Sequence, residues 1–226
     1  LYFYNRHPTF LIANLLGTVI NYAFWAHSFY AATPLGAVFG WMVTFFVLFN
    51  GVLLLQLFWK EYLFDVNNMA SGFSLGMIFA ATSYLVFMKH YPEELYHGYL
   101  ALVVFVMYGG LWFVIQNKYS RNNLASDTYL SLAALYLTLT IAWLMDSTWI
   151  TVAWALESFF LFWLGAKHGH VRTRHMAMII IALAYFRFFH SDFHYAFNSI
   201  SFTLFFNDRF IPLIALVGSG FGAVWF

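Results

Sequence analysis

Glu157 is the residue whose type and setting most directly imply chemistry. It closes the stretch Trp149-Ile-Thr-Val-Ala-Trp154-Ala-Leu-Glu157, which carries no other charge. A carboxyl group inside an apolar helix is costly, so such groups face a bundle interior or a wet cavity. Arg187 is the second charge inside an apolar run, within Tyr185-Phe-Arg187-Phe-Phe189. Two readings follow. Glu157 and Arg187 are neighbours lining an internal path, with Trp154 beside Glu157 at i−3. Alternatively, Glu157 is a neutral acid hydrogen-bonded to an adjacent helix, and Arg187 extends outward to the membrane interface.

A second group of candidates is acidic and imidazole-bearing. His190-Ser-Asp192-Phe-His194 offers two imidazoles and a carboxylate, which are ligand types for zinc and other transition metals. The spacing places Asp192 away from His190 and His194 on a helix, so no metal is assigned and the residues read as interfacial polar groups. Asp146 and Asp192 stand as outer-rim acids that an enzyme of envelope lipids or polymers would use. The sequence has no H-E-x-x-H helix and no Walker loop. No catalytic residue and no cofactor are assigned.

The elements that must position these groups are transmembrane helices. Of the 226 residues, 63% are apolar and 8% charged, with a mean hydropathy of +0.73. Soluble domains are roughly a quarter charged, so a globular chain is excluded, and so is a disordered one. The net charge of +1 supplies no basic stripe for nucleic acid. With no cysteine, disulfides and thiolate chemistry are excluded as well.

A helix needs about 20 apolar residues to cross a hydrocarbon core roughly 30 Å thick. Eight such runs are expected, at Thr9–Ala32, Leu35–Trp59, Met69–Met88, Glu94–Gln116, Thr128–Met145, Thr148–Ala166, His175–Phe189 and Arg209–Phe226. Pro34, Pro92 and the polar segments 60–68 and 118–127 separate them. Asp146-Ser147 is so short a connection that the fifth and sixth spans form an antiparallel hairpin. The runs do not alternate as the strands of a membrane barrel do. The fold class is an all-α polytopic transmembrane bundle in one domain. Glu157 lies nine residues past Thr148, about 14 Å along the axis and close to the midplane. The start at Leu1 and the apolar end at Trp225-Phe226 read as a window of a longer protein. Its partners are then membrane lipids and flanking helices, and an oligomer is compatible with this.

Lys and Arg set the orientation. One set of loops carries seven of them, Arg6, Lys60, Lys118, Arg121, Lys167, Arg172 and Arg174; the other carries Lys89, Arg209 and flanking Arg187. The richer side, with residue 1, is expected to be cytoplasmic. His168, His170 and His175 share the basic loop, which reads as a topology determinant with contact to anionic lipid. Tyr91, Tyr96, Tyr119, Tyr129, Trp149 and Trp163 are expected at the interfaces.

Without a hydrophobic drive in lipid, small residues let helices approach. Gly36, Gly40, Thr44 and Gly51 mark such a face on the second span, and Gly72, Gly76, Ala80 and Ser83 on the third. Asn14 and Asn21, one stripe with Gly17, are expected to hydrogen-bond neighbouring helices, as are Asn50 and Gln56.

The Trp149-to-Glu157 stretch, Leu164-Gly165, the basic loop, Arg187, Asp192 and Phe206-Asn-Asp208-Arg-Phe210 together resemble a large bacterial family of polytopic membrane proteins known only as a domain of unknown function. That family carries a T-x-A-W-x-L-E segment, and the resemblance is best over residues 130–226. Here Asp208 follows Asn207, where the family often has Pro. The resemblance implies a many-helix protein of the bacterial inner membrane and no particular reaction. Three functions are carried forward, in this order: a transporter or channel-like component, a membrane scaffold or assembly subunit, and a membrane-embedded enzyme.

Single cysteines in this cysteine-free chain test the orientation. Ser120→Cys should be protected from an impermeant thiol reagent added to intact spheroplasts, and Glu93→Cys should be labelled. The reverse pattern would invert the topology.

Overall fold

The computed structural model describes residues 17, 35–59, 66–91, 95–118, 123–192 and 210–225. Among these residues every regular element is helical. We number the helices α1 (Leu35–Trp59), α2 (Val66–His90), α3 (Tyr96–Lys118), α4 (Asn123–Leu144), α5 (Ser147–His168), α6 (Val171–Arg187) and α7 (Phe210–Trp225). A π-helical turn, Phe188–Asp192, continues α6. These helices coincide with the second through eighth expected spans. The first, Thr9–Ala32, lies outside the described residues except for Gly17, and so do Asn14 and Asn21.

Among the described residues, five segments are long and apolar enough to cross a membrane: Gly36–Leu55, Asn68–Met88, Tyr96–Asn117, Leu124–Leu144 and Trp149–His168. The last is 20 residues, about 30 Å of helix, which matches the hydrocarbon thickness. Helix α6 has 17 residues, the lower limit for spanning, and α7 has 16, just below it, so neither stands with those five.

The described residues divide into two compact units, one within 1–97 and 112–128, the other within 98–111 and 129–226. In the first unit α1 and α2 run antiparallel. Phe46 stacks on Phe79 with centroids 4.1 Å apart, and Phe39 meets Phe87 edge-on at 5.4 Å. Val38, Met42, Phe46, Leu53 and Leu57 form the buried stripe of α1. Gly72, Gly76, Ala80 and Ser83 of α2 are buried, as their small size anticipates. The glycine face of α1 behaves otherwise. Gly36, Gly40 and Thr44 are exposed, and a Cβ at Gly36, Gly40 or Gly51 would meet nothing within 4 Å. The reason is geometric: Gly36 and Gly40 each precede a buried residue by two positions, about 200° round the helix. Asn50 is buried, and its Nδ2 donates to the Phe46 carbonyl one turn back at 2.9 Å.

In the second unit α5 and α6 form an antiparallel hairpin with a two-residue connection. Gly169, at φ 71°, lets the chain reverse. Its N–H donates to the Ala166 carbonyl at 3.3 Å, and the His170 N–H donates to the Gly165 carbonyl at 2.8 Å. This doubly bonded stop needs a left-handed residue, which glycine adopts without steric cost. Helix α7 lies parallel to α5, with Leu216 in one buried cluster with Ala155, Ala184 and Phe188.

Two expectations about α4 are corrected. The helix begins at Asn123, not Thr128, so Asp127 belongs to it and is 4% exposed. Its polar neighbours Ser126, Thr128 and Ser131 are buried with it, so these residues are not a solvated loop. Tyr129 is not interfacial either; it is buried against Tyr108, with centroids 6.0 Å apart.

Glycine positions give a direct test. A Cβ at Gly165 would stand 3.1 Å from the His170 carbonyl oxygen and 3.2 Å from the Arg174 nitrogen, both backbone atoms that cannot step aside. Gly165→Leu should lower detergent-solubilised stability by about 1–3 kcal/mol, as overpacking does. Gly40→Leu should leave it unchanged. Equal losses at both sites would contradict the packing described here.

Candidate functional site

The hairpin of α4 and α5 sets the depth of Glu157. Only Met145 and Asp146 separate the helices, so their antiparallel register brings Thr138 opposite Glu157. Glu157 is 6% exposed and Thr138 9%. The Thr138 hydroxyl oxygen lies 2.9 Å from Glu157 Oε1, 3.1 Å from Oε2 and 2.9 Å from the Ala134 carbonyl. Trp154 completes the group by donating its Nε1–H to the Thr138 carbonyl at 3.1 Å. One threonine of α4 is thus held through its side chain by Glu157 and through its backbone by Trp154.

A threonine hydroxyl has one proton and can also accept. If Glu157 is ionised, Thr138 donates either to the carboxylate or to Ala134, and cannot satisfy both. If Glu157 is protonated, its O–H donates to Thr138 and Thr138 donates to Ala134, so every proton has an acceptor. Among the described residues no cation joins the Glu157 carboxyl. A buried carboxylate without a cation is expensive, so the two arrangements differ in cost.

The expected contact between Glu157 and Arg187 is replaced by this one. Ala155 is the α5 residue that packs with Ala184 and Phe188 of the α6 segment. Glu157 lies two positions further, about 200° round, and so faces α4. Arg187 is half-buried at the end of α6. Trp154 stands between the two faces. Its ring lies against the Ala155–Ala184–Phe188–Leu216 cluster, and its N–H reaches α4.

The outer-rim candidates are not brought together with this site. Asp146 is exposed and occupies the N-cap position of α5, where its backbone carbonyl accepts from Trp149 and Ile150 N–H at 3.0 and 3.2 Å. A negative charge there also suits the positive end of the helix. His190 is exposed and stacks on Phe186, with centroids 5.7 Å apart and rings within 5° of parallel. Asp192 ends the π-helical turn, and His194 lies outside the described residues. Among the described residues no group of three His, Cys, Asp or Glu could hold a metal ion.

Sequence reasoning missed Thr138, because a lone threonine in an apolar helix gives no signal until the facing register is known. It also missed that the buried Tyr129 and Tyr136 of α4 both pack against Tyr108 of α3. Their signal was the seven-residue repeat of Tyr129 and Tyr136, which places both on one helical face. Sequence reasoning also counted G-x-S-x-G as absent, whereas Gly72-Phe-Ser74-Leu-Gly76 spells it. That motif serves as a nucleophile elbow only at a strand-to-helix turn. Here it lies inside the continuous helix α2 with Ser74 exposed, so it builds no such elbow.

Comparison with protein-family models, with curated proteins and with solved structures gave no match. The family resemblance therefore rests on the residues quoted for it.

The latch can be taken apart by substitution. Thr138→Val keeps the shape and removes the hydroxyl, leaving a buried acid without its partner. The expected loss is about 1–3 kcal/mol. Thr138→Val combined with Glu157→Leu should recover part of that loss, since removing both polar partners can be nearly neutral. Additive losses in the double-mutant cycle would show that the two side chains do not interact.

Proposed function

We propose that this protein is a multi-pass component of a bacterial inner membrane that moves protons, alone or coupled to a solute, with Glu157 as the proton-carrying group. The observation that carries this reading is the pairing of a carboxyl near the middle of α5 with a single hydroxyl of α4. An acid at that depth with no cation at hand holds a proton at rest and becomes costly when it gives the proton up. Thr138 holds the protonated acid in place, because its hydroxyl can accept from the acid while donating to Ala134. The basic side of the topology, containing the α5–α6 turn, faces the cytoplasm in this reading. Arg187 and the outer-rim groups Asp146, His190 and Asp192 lie toward the opposite side.

A second reading is favoured by the same geometry. Glu157, Thr138 and Trp154 also form a closed latch that fixes α4 against α5, as a scaffold subunit would need. No observation favours the membrane-embedded enzyme in the same way, since exposed Asp146 is not brought together with Glu157.

Glu157→Gln separates the two readings, because it keeps the shape and hydrogen bonding of the acid but carries no transferable proton. The full chain is reconstituted into vesicles with a pH-sensitive dye inside, and a pH gradient is imposed. Proton transport predicts dissipation faster than in empty vesicles, with the Gln variant folded and reduced to the empty-vesicle rate. Equal rates for wild type and Gln variant, or no wild-type flux, would sink the transport reading and leave the latch.

A further inference from the structure

The α5–α6 turn gathers the densest positive charge in the chain. Lys167 and His168 close α5, Gly169 and His170 make the turn, and Arg172 and Arg174 fall in the first turns of α6. Between Glu157 and Asp192 the sequence has no acidic residue. The turn is tight because Gly169 adopts φ 71° and two backbone hydrogen bonds close it. Lys167, His168 and Arg172 are all exposed.

Depth decides what such a cluster meets. The Trp149–His168 segment matches the hydrocarbon thickness, so its last residues emerge at the headgroup layer. Lys167 supports this placement: its Nζ stands 4.8 Å from the centre of the Trp163 ring one turn earlier. An aromatic ring beneath a cation at a helix end is the arrangement of a membrane interface, with the ring at headgroup level and the charge toward water. The α6 N-terminus adds to the field. The His170 side chain does not cap it, so the first N–H groups of α6 point toward the same rim.

We propose that the α5–α6 turn is a binding site for the headgroup of an anionic phospholipid, with Lys167 and Arg172 as its principal contacts. The lipid phosphate is held between the two exposed cations, and its acyl chains run down the apolar faces of α5 and α6. Leu156 and Phe160 of α5 and Met178, Ile179, Leu183 and Phe186 of α6 are exposed there and supply the apolar surface. Arg174 plays a different part, because its aliphatic chain packs where a Gly165 Cβ would stand. It supports the turn and is left unaltered in the test.

The full chain in a zwitterionic detergent is titrated with short-chain phosphatidylglycerol, with short-chain phosphatidylcholine and with inorganic phosphate, and thermal stability is followed. Phosphatidylglycerol should raise the midpoint saturably, phosphatidylcholine and phosphate should not, and Lys167→Gln with Arg172→Gln should weaken the apparent affinity about 25-fold, at roughly fivefold per charge. Equal stabilisation by the two lipids would overturn the site, and this comparison needs no variant. So would stabilisation by free phosphate alone, or an undiminished phosphatidylglycerol effect in the double variant.

Discussion

A carboxyl group in hydrocarbon must find a hydrogen-bond partner at its own depth, and the arrangement of α4 and α5 follows from meeting that requirement. The Met145-Asp146 connection is too short to let the two helices slide, so the residues opposite Glu157 are fixed by their distance from the turn. Thr138 is the one that answers. Its hydroxyl lies within 2.9–3.1 Å of both carboxyl oxygens, and its carbonyl receives the Trp154 indole. Breaking this register would strand a buried acid and an indole N–H together. Trp154 also lies against the cluster of Ala155, Ala184, Phe188 and Leu216, so the latch is continuous with the packing of α6 and α7.

Helix α4 explains how so polar a segment is tolerated at membrane depth. Of its Leu124–Leu144 window, 72% is buried, against 28% for the Gly36–Leu55 window of α1. Its threonine hydroxyls are satisfied locally: Thr128, Thr138 and Thr140 each reach the carbonyl four residues earlier, at 2.7–2.9 Å. A hydroxyl bonded to its own helix presents little polarity to its surroundings. Thr138 goes further, because its oxygen still has capacity for Glu157. Helix α1 follows the opposite rule, with Val38, Met42 and Phe46 buried and Gly36 and Gly40 exposed.

The sequence made the helices legible and the contacts between them much less so. Continuous apolar runs between proline and charge breaks gave seven spans that coincide with helices, because hydropathy alone decides what may enter lipid. Glu157 was conspicuous for the same reason. Its partner was not: pairing it with Arg187 rested on depth and on the adjacency of two helices, and those do not fix which face a residue presents. The 200° between Ala155 and Glu157 decided that question. Gly36 and Gly40 failed similarly, since a small-residue stripe shows where helices can approach, not where they do. Asp127 was misplaced because Asn123 through Asp127 reads as loop chemistry until its burial is seen. The headgroup cations at Lys167 and Arg172 were visible as charge, whereas the tight turn that gathers them depends on Gly169.

The central claim is that Glu157 is held in the membrane by the Thr138 hydroxyl, with the proposed proton residing on the acid. Infrared difference spectroscopy between the wild-type chain and Glu157→Gln at neutral pH reads both parts at once. The account predicts a carbonyl-stretch band of a protonated, hydrogen-bonded carboxylic acid, present in wild type, absent in the Gln variant and moved to higher frequency by Thr138→Val. Symmetric and antisymmetric carboxylate bands in its place, or a protonated band that Thr138→Val leaves unmoved, would contradict it.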